Sequence, residues 1–273
     1  VDLAGLTQTT AGNIQVVTTN GSITTSGAIS ANGAGTVTLT AGGGTSTLTV
    51  SNPITSGSGA VQLTAVDGVT LNGANGDVTT TGTYTVNADS NADGPGTYSQ
   101  NNAGSAVSSG AVQITAADVV LTGTINSGAA NVTILTSTAA ATIGIEDASK
   151  SLNLTDAELD QVSSTGTINI GSAANTGGIT IGTDAALTQG AKNFQFTTAG
   201  NIAISGNNFT TTGNVGLTAD NAGNTAAITS GAGVVGAAAL TATADAGIAL
   251  NTSVTTLTAT NSTSGNIVIA EAT

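Results

Sequence analysis

Apolar residues recur along this chain in short alternating runs, each introduced by a glycine. The unit is Gly, a small or polar residue, then apolar, any, apolar, then Thr, Ser or Ala. It reads GNIQVVT from Gly12, GTVTLTA from Gly35, GAVQLTA from Gly59 and GAVQITA from Gly110. It returns as GTINIGS from Gly166, GNIAISG from Gly200, GNVGLTA from Gly213 and GNIVIAE from Gly265. Residues 59–73 and 110–124 are nearly the same. Alternation over about four to six residues is the pattern of a strand with one buried face. Val37 and Leu39 then point one way, and Thr36, Thr38 and Thr40 the other. The pairs Ile202 and Ile204, Val215 and Leu217, and Ile267 and Ile269 repeat the arrangement.

Between these strands stand Asn-Gly, Gly-Gly and Ser-Gly pairs, such as Asn20–Gly21, Asn32–Gly33, Asn72–Gly73 and Asn75–Gly76. Such residues tolerate positive φ and turn the chain sharply. Pro53 and Pro95, the only prolines, fall in the same breaks. Helical periodicity is confined to residues 152–164, where Leu154, Leu159 and Val162 could share one side of a turn or two. Residues 87–109 show little alternation and are expected to leave the framework as a loop or small hairpin.

Self-similarity at a fixed period marks a solenoid. The glycines at 12, 35 and 59 set intervals of 23 and 24 residues, so a coil takes roughly 20–25 residues. The expected fold is all-β, a parallel β-helix in which each strand pairs with its equivalent one coil on. The bias of parallel crossovers makes it right-handed. At about 4.8 Å per coil, the chain gives about 12 coils and about 60 Å of stack, read as one segment over 1–273.

Composition sharpens this picture. Hydrophobic residues are 39% of the chain but aromatic ones only 2%, so Val, Ile, Leu and Ala are expected to fill a core too narrow for rings. Charged residues are 6%, and 53 threonines clothe the outside. Mean hydropathy of +0.26 and low charge argue against disorder. With no Cys or His there is no zinc finger, disulfide framework, haem ligation, thiol nucleophile or Ser/His/Asp triad. Two lysines against 15 acids, a net charge of −13, leave no surface to track phosphates, so nucleic acid is not an expected partner. No run of about 18 apolar residues spans a membrane. Met is absent even at residue 1, which reads as a processed or excised piece of a longer product.

The Gly–Asn–Ile–x–Ile units, the stretch NADSNADGPGTYS and above all residues 154–182, LTDAELDQVSSTGTINIGSAANTGGITIG, resemble the repeats of filamentous-haemagglutinin-like giant exoproteins. The resemblance covers roughly residues 10–270 and rests on repeat consensus. It implies a right-handed parallel β-helical shaft of a bacterial adhesin or surface fibre, exported by a two-partner or autotransporter-type route. The secretion and capping region of such proteins, and any membrane-barrel segment, have no counterpart here.

Four motifs carry candidate chemistry. DSNADG places Asp89, Asn91, Asp93 and Gly94 like the first half of a calcium loop. Gln100 stands where the closing bidentate Glu belongs, and the competing reading is a polar turn. Glu146, Asp147, Asp156, Glu158 and Asp160 form an acidic cluster with Lys150 near them. Paired carboxylates can hydrolyse glycosides, but Asp156 also suits a helix N-cap or first turn. GAGVVG at 231–236 matches GxGxxG by spacing, yet Thr256 occupies the place of the required acid, and the motif is rejected. Thr-x-Thr segments at Thr36–Thr40, Thr47–Thr49, Thr241–Thr243 and Thr256–Thr260 suggest ice-binding faces but fall irregularly along the sequence.

The expectation is therefore a non-catalytic structural segment of an extracellular or cell-surface bacterial fibre or adhesin stalk. No cofactor is required, and calcium is a candidate. Neighbouring copies stacked end to end are the expected partners, with cell-surface or carbohydrate ligands also open. A polysaccharide-acting enzyme and a surface-layer or matrix protein are the alternatives.

Overall fold

The computed structural model describes residues 1–102 and 106–272. It is a β-solenoid of about 12 turns with coils of about 23 residues, its strands paired in parallel. The chain divides into two compact units: Val1–Ser137 with Gln161–Gly166, and Thr138–Asp160 with Thr167–Thr273.

The first unit has three ladders. The first stacks Ile14–Thr18, Val37–Ala41, Val61–Ala65, Tyr84–Asn87, Val112–Ala116 and Val132–Thr136. Shorter strands make the second, from Asp2–Leu3 through Leu48–Val50 and Thr97–Gln100 to Asp118–Leu121. The third runs from Leu6–Gln8 through Ile54–Thr55 and Thr124–Gly128 to Val162–Ser164. Along the first ladder Ile14, Val37, Val61, Tyr84, Val112 and Val132 are register mates. Their numbers show one long coil, from Tyr84 to Val112. Its extra residues lie at 88–96, so the expected excursion over 87–109 is a correction: Thr97–Gln100 belongs to the second ladder, beside Val69–Leu71 and Asp118–Leu121. Tyr98 and Gln100 point inward there, filling the places that Val or Leu take in other coils. Residues 103–105 of that expectation lie outside the described residues.

In the second unit, Ile143–Ile145 pairs with both Leu152–Leu154 and Ile179–Ile181, and Ile202–Ile204 continues that ladder. A second ladder stacks Thr167–Ser172, Asn193–Thr198 and Asn214–Ala219. The long strands Ile228–Ala244 and Ile248–Asn261 pass through the corners unbroken, pairing with each other and with three earlier strands. Residues 152–164 hold a strand, the single helical turn Asp156–Asp160 and the strand Val162–Ser164.

The core is aliphatic, with Ile23, Leu48, Leu63, Ile134, Ile170 and Ile204 fully buried. It also takes rings, against expectation. All five aromatic side chains are buried. Phe194 and Phe196 stack at 5.8 Å, and Phe209 meets both edge-on at 5.3 and 5.6 Å. Each ring sits at an inward strand position.

The repeated Gly has a steric cause. A Cβ on Gly59 would lie 2.0 Å from the Gly35 carbonyl oxygen, and one on Gly213 would lie 2.2 Å from that of Lys192. An inward Ser or Thr two residues earlier completes the corner. Thr80 Oγ1 donates to the Gly59 carbonyl (2.6 Å) and accepts from Gly82 N–H (2.9 Å). Ser164 with Gly166, Thr198 with Gly200 and Thr211 with Gly213 repeat this bridge. The Asn that follows several of these glycines accepts from the coil above, as Asn13 Oδ1 does from Thr36 N–H and Asn201 Oδ1 from Ala227 N–H. Buried backbone groups at the corners are thereby paired.

Candidate functional site

The first candidate is the turn after Tyr84–Asn87. Asp89 turns inward and is 2% exposed. Its Oδ2 accepts from Ser137 Oγ at 2.5 Å and from Gly94 N–H at 3.2 Å, while its buried Oδ1 has no hydrogen-bond partner. Asn91 and Asp93 lie exposed, joined to each other by Asn91 Nδ2 donating to Asp93 Oδ2 at 2.7 Å. Gly94 takes φ +109° and Ala92 φ 56°, the conformations that fold the turn back. The predicted calcium ligands thus divide into an inward Asp89 and an outward pair. Gln100 lies in a strand, fully buried, its Nε2 donating to the Thr124 carbonyl at 3.3 Å. Among the described residues no group of three or more acids, His or Cys is placed to hold a metal ion.

The second candidate is the acidic cluster of the second unit. Thr155 and Glu158 form a capping box: Glu158 Oε2 accepts from Thr155 N–H (2.9 Å), and Thr155 Oγ1 accepts from Glu158 N–H (3.3 Å). Thr155 is therefore the N-cap, and Asp156 begins the turn. The Asp156 N–H donates to Glu146 Oε1 at 2.6 Å. Asp156 Oδ1 accepts from Thr188 N–H (2.9 Å) and Gln189 Nε2 (2.7 Å). Gln189 Nε2 also reaches Asp160 Oδ1 at 3.1 Å. Lys192 closes the other end, donating to the Leu159 carbonyl (2.6 Å) and Gln189 Oε1 (2.9 Å), with Asp160 at 3.7 Å. A cation at the C-terminus of a helical turn is well placed. Burial lowers the Lys192 pKa, and Asp160 and Asp156 act against that.

Asp147, also 2% exposed, is held on both oxygens. Oδ1 accepts from Ser149 Oγ (2.6 Å) and Ser149 N–H (3.2 Å), and Oδ2 accepts from Thr183 Oγ1 (3.1 Å) with Lys150 Nζ at 3.5 Å. Burial works to raise its pKa, but the bonds from Ser149 and Thr183 and the Lys150 charge outweigh it, and the pKa falls below the ordinary 3.8. These acids are acceptors for corner donors. The large groove of this unit, about 1140 Å³, runs past Thr142, Thr180 and Asn201; its only charged lining residues are Lys150 and Asp220. None of the five predicted acids lines it.

Sequence reasoning missed Ser137, Thr183, Thr188, Gln189 and Lys192, which meet the acids from 29 or more residues away in most of these contacts. Only the T-x-x-E spacing of the capping box was readable locally. In the first unit, burial pushes the hydroxyls of Tyr84 and Tyr98 above the ordinary tyrosine range. The two phenols face one another closely enough to interact, yet neither makes a hydrogen bond of ordinary geometry.

Fold and corners together define a parallel β-solenoid in which Asp89 and Asp147 are buried at turns. No protein-family model, curated protein or solved structure matches the chain. No helix among the described residues is long and apolar enough to cross a membrane.

Proposed function

We propose that the chain is a non-catalytic structural segment of an extracellular bacterial fibre or adhesin stalk, of the filamentous-haemagglutinin-like kind. The observation that carries this reading is the continuity of the ladders. Coil after coil is bonded to the next by backbone groups, and the corner Gly, Thr and Asn residues add a second set of bonds between the same coils. Stability in such a stack is a sum of local interfaces, so length can grow without redesigning the core. The strand Ile267–Glu271 is paired on one side by Ile248–Asn261 and leaves Ile267 and Val268 exposed. Joining of copies along the stack would use the same parallel strand pairing.

Negative-stain microscopy of purified protein tests the reading. Short rods or unbranched filaments are expected; sheets would favour a surface layer, and round particles would overturn the stalk. Incubation with neutral and acidic polysaccharides is expected to release no reducing ends. Release that is lost in Asp156→Asn would install the enzyme reading instead.

A further inference from the structure

The first ladder of the first unit carries two files of outward side chains. At one position successive coils present Gln15, Thr38, Gln62, Thr85, Gln113 and Thr133, long and short in strict alternation. The glutamines are exposed and the threonines half-buried. Two residues on, the second file is Val17, Thr40, Thr64, Asn87, Thr115 and Leu135, with Val17 54% exposed. Irregular coil lengths hide this order in the sequence, and the register restores it.

No charge lies on this face. The acids of the unit are Asp2, Asp67, Asp77, Asp89, Asp93 and Asp118, none of them in these strands. Asp2 and Asp118 stand in the second ladder, and Asp77 immediately precedes a strand of the third. In a chain of net charge −13, copies repel wherever acids meet. This face is where they can approach.

We propose that the face binds the same face of a second copy, about a two-fold axis parallel to its strands. That operation reverses the order of the coils while keeping each file over itself. The first coil then meets the sixth, the second the fifth and the third the fourth. Every Gln falls opposite a Thr: Gln15 on Thr133, Gln113 on Thr38, Gln62 on Thr85. Val17 falls opposite Leu135, apolar on apolar. A slip of one coil would set Gln on Gln and Thr on Thr, so the alternation also fixes the register. An isologous interface needs this self-complementarity.

Six coils at about 4.8 Å and five residues at about 3.3 Å give roughly 475 Å² in plan. A standard interface takes about 800 Å² per partner, so one unit associates weakly and the contact is best trapped chemically. The inference stands on the first unit alone and is independent of the stalk reading, whose test concerns joining along the stack.

The chain has no cysteine, which makes single-thiol variants clean reporters. Thr64→Cys lies beside the two-fold axis; Thr49→Cys, equally half-buried on the second ladder, is the reference. Each is treated with a short bis-maleimide, and dimer yield is divided by its labelling rate with a mono-maleimide. Thr64→Cys is expected to give about tenfold more dimer than Thr49→Cys. Adding Gln62→Glu and Gln113→Glu, near-isosteric changes, should reduce the yield to the reference, and salt should restore part of it. Circular dichroism checks that each variant keeps its strands. Equal yields from the two thiols, or a yield indifferent to the glutamates, would overturn the proposal.

Discussion

Asp89 and Asp147 are buried to the same 2% exposure at corners of different units, yet they are held differently. Asp147 has every lone-pair direction engaged, by Ser149, Thr183 and Lys150. Asp89 has Ser137 and Gly94 on one oxygen, nothing on the other, and no Lys or Arg in its unit. A buried carboxylate costs several kcal/mol unless hydrogen bonds or charges compensate. The difference teaches what a corner requires. Two lysines cannot serve 15 acids, so hydroxyls and backbone N–H groups do most of the compensating.

Breaking the better-held corner should cost most. Asp147→Ala removes the acceptor of one N–H and of the Ser149 and Thr183 hydroxyls, which sit on exposed residues within reach of water, and takes away the partner of Lys150. It is expected to lower unfolding free energy in urea by about 2–3 kcal/mol. Asp89→Ala strands one hydroxyl and one N–H but also removes an uncompensated oxygen, so about 1–2 kcal/mol is expected. Equal losses at the two sites would erase the distinction between them. Acid sharpens it further. The folded pKa of Asp147 lies below its unfolded value, so the unfolded chain binds the extra proton as pH falls. Its stabilisation is whole above the ordinary 3.8 and is lost as pH drops through the folded value. Urea midpoints of the parent should therefore fall more steeply below about pH 4 than those of Asp147→Asn.

Conservative substitution separates the corners again. In Asp89→Asn the amide oxygen can keep Ser137 and Gly94, and the amide nitrogen replaces an oxygen that had no partner. The stability change is expected within about 0.5 kcal/mol of zero. Asp147→Asn has no idle oxygen to give up, and should cost about 1–2 kcal/mol.

The parts legible in the sequence were those with a local cause. Gly-x-Val-x-Leu runs give coils because a glycine is forced where one carbonyl meets the next coil, and alternation then decides which face is inside. Thr97–Gln100 escaped because its inward residues are Tyr98 and Gln100, which do not read as a buried file. The rings were expected to be excluded on composition, but five of them are few enough to be dispersed among the coils or clustered, as Phe194, Phe196 and Phe209 are. The acidic cluster read as a candidate site because its five acids are close in sequence. Its meaning lay in Thr183, Thr188, Gln189 and Lys192, one coil or more away, and spacing alone carries no signal for such partners.

Calcium gives the finest test of the comparison. A hard divalent cation wants six to eight oxygens converging at about 2.3–2.6 Å. At the Asp89 turn one carboxylate faces inward and is partly engaged by Ser137, whereas Asp93 faces solvent and is bonded to Asn91. Converging them would require breaking the 2.7 Å Asn91–Asp93 bond and drawing Asp89 off Ser137, which spends binding energy on rearrangement. Calorimetric titration with calcium is accordingly expected to show no saturable heat, and the unfolding midpoint to stay where it is in the presence of a chelator. A saturable binding curve abolished by Asp89→Asn would reverse this. The idle oxygen of Asp89 would then be a ligand awaiting its ion, and the two corners would differ in chemistry rather than in degree.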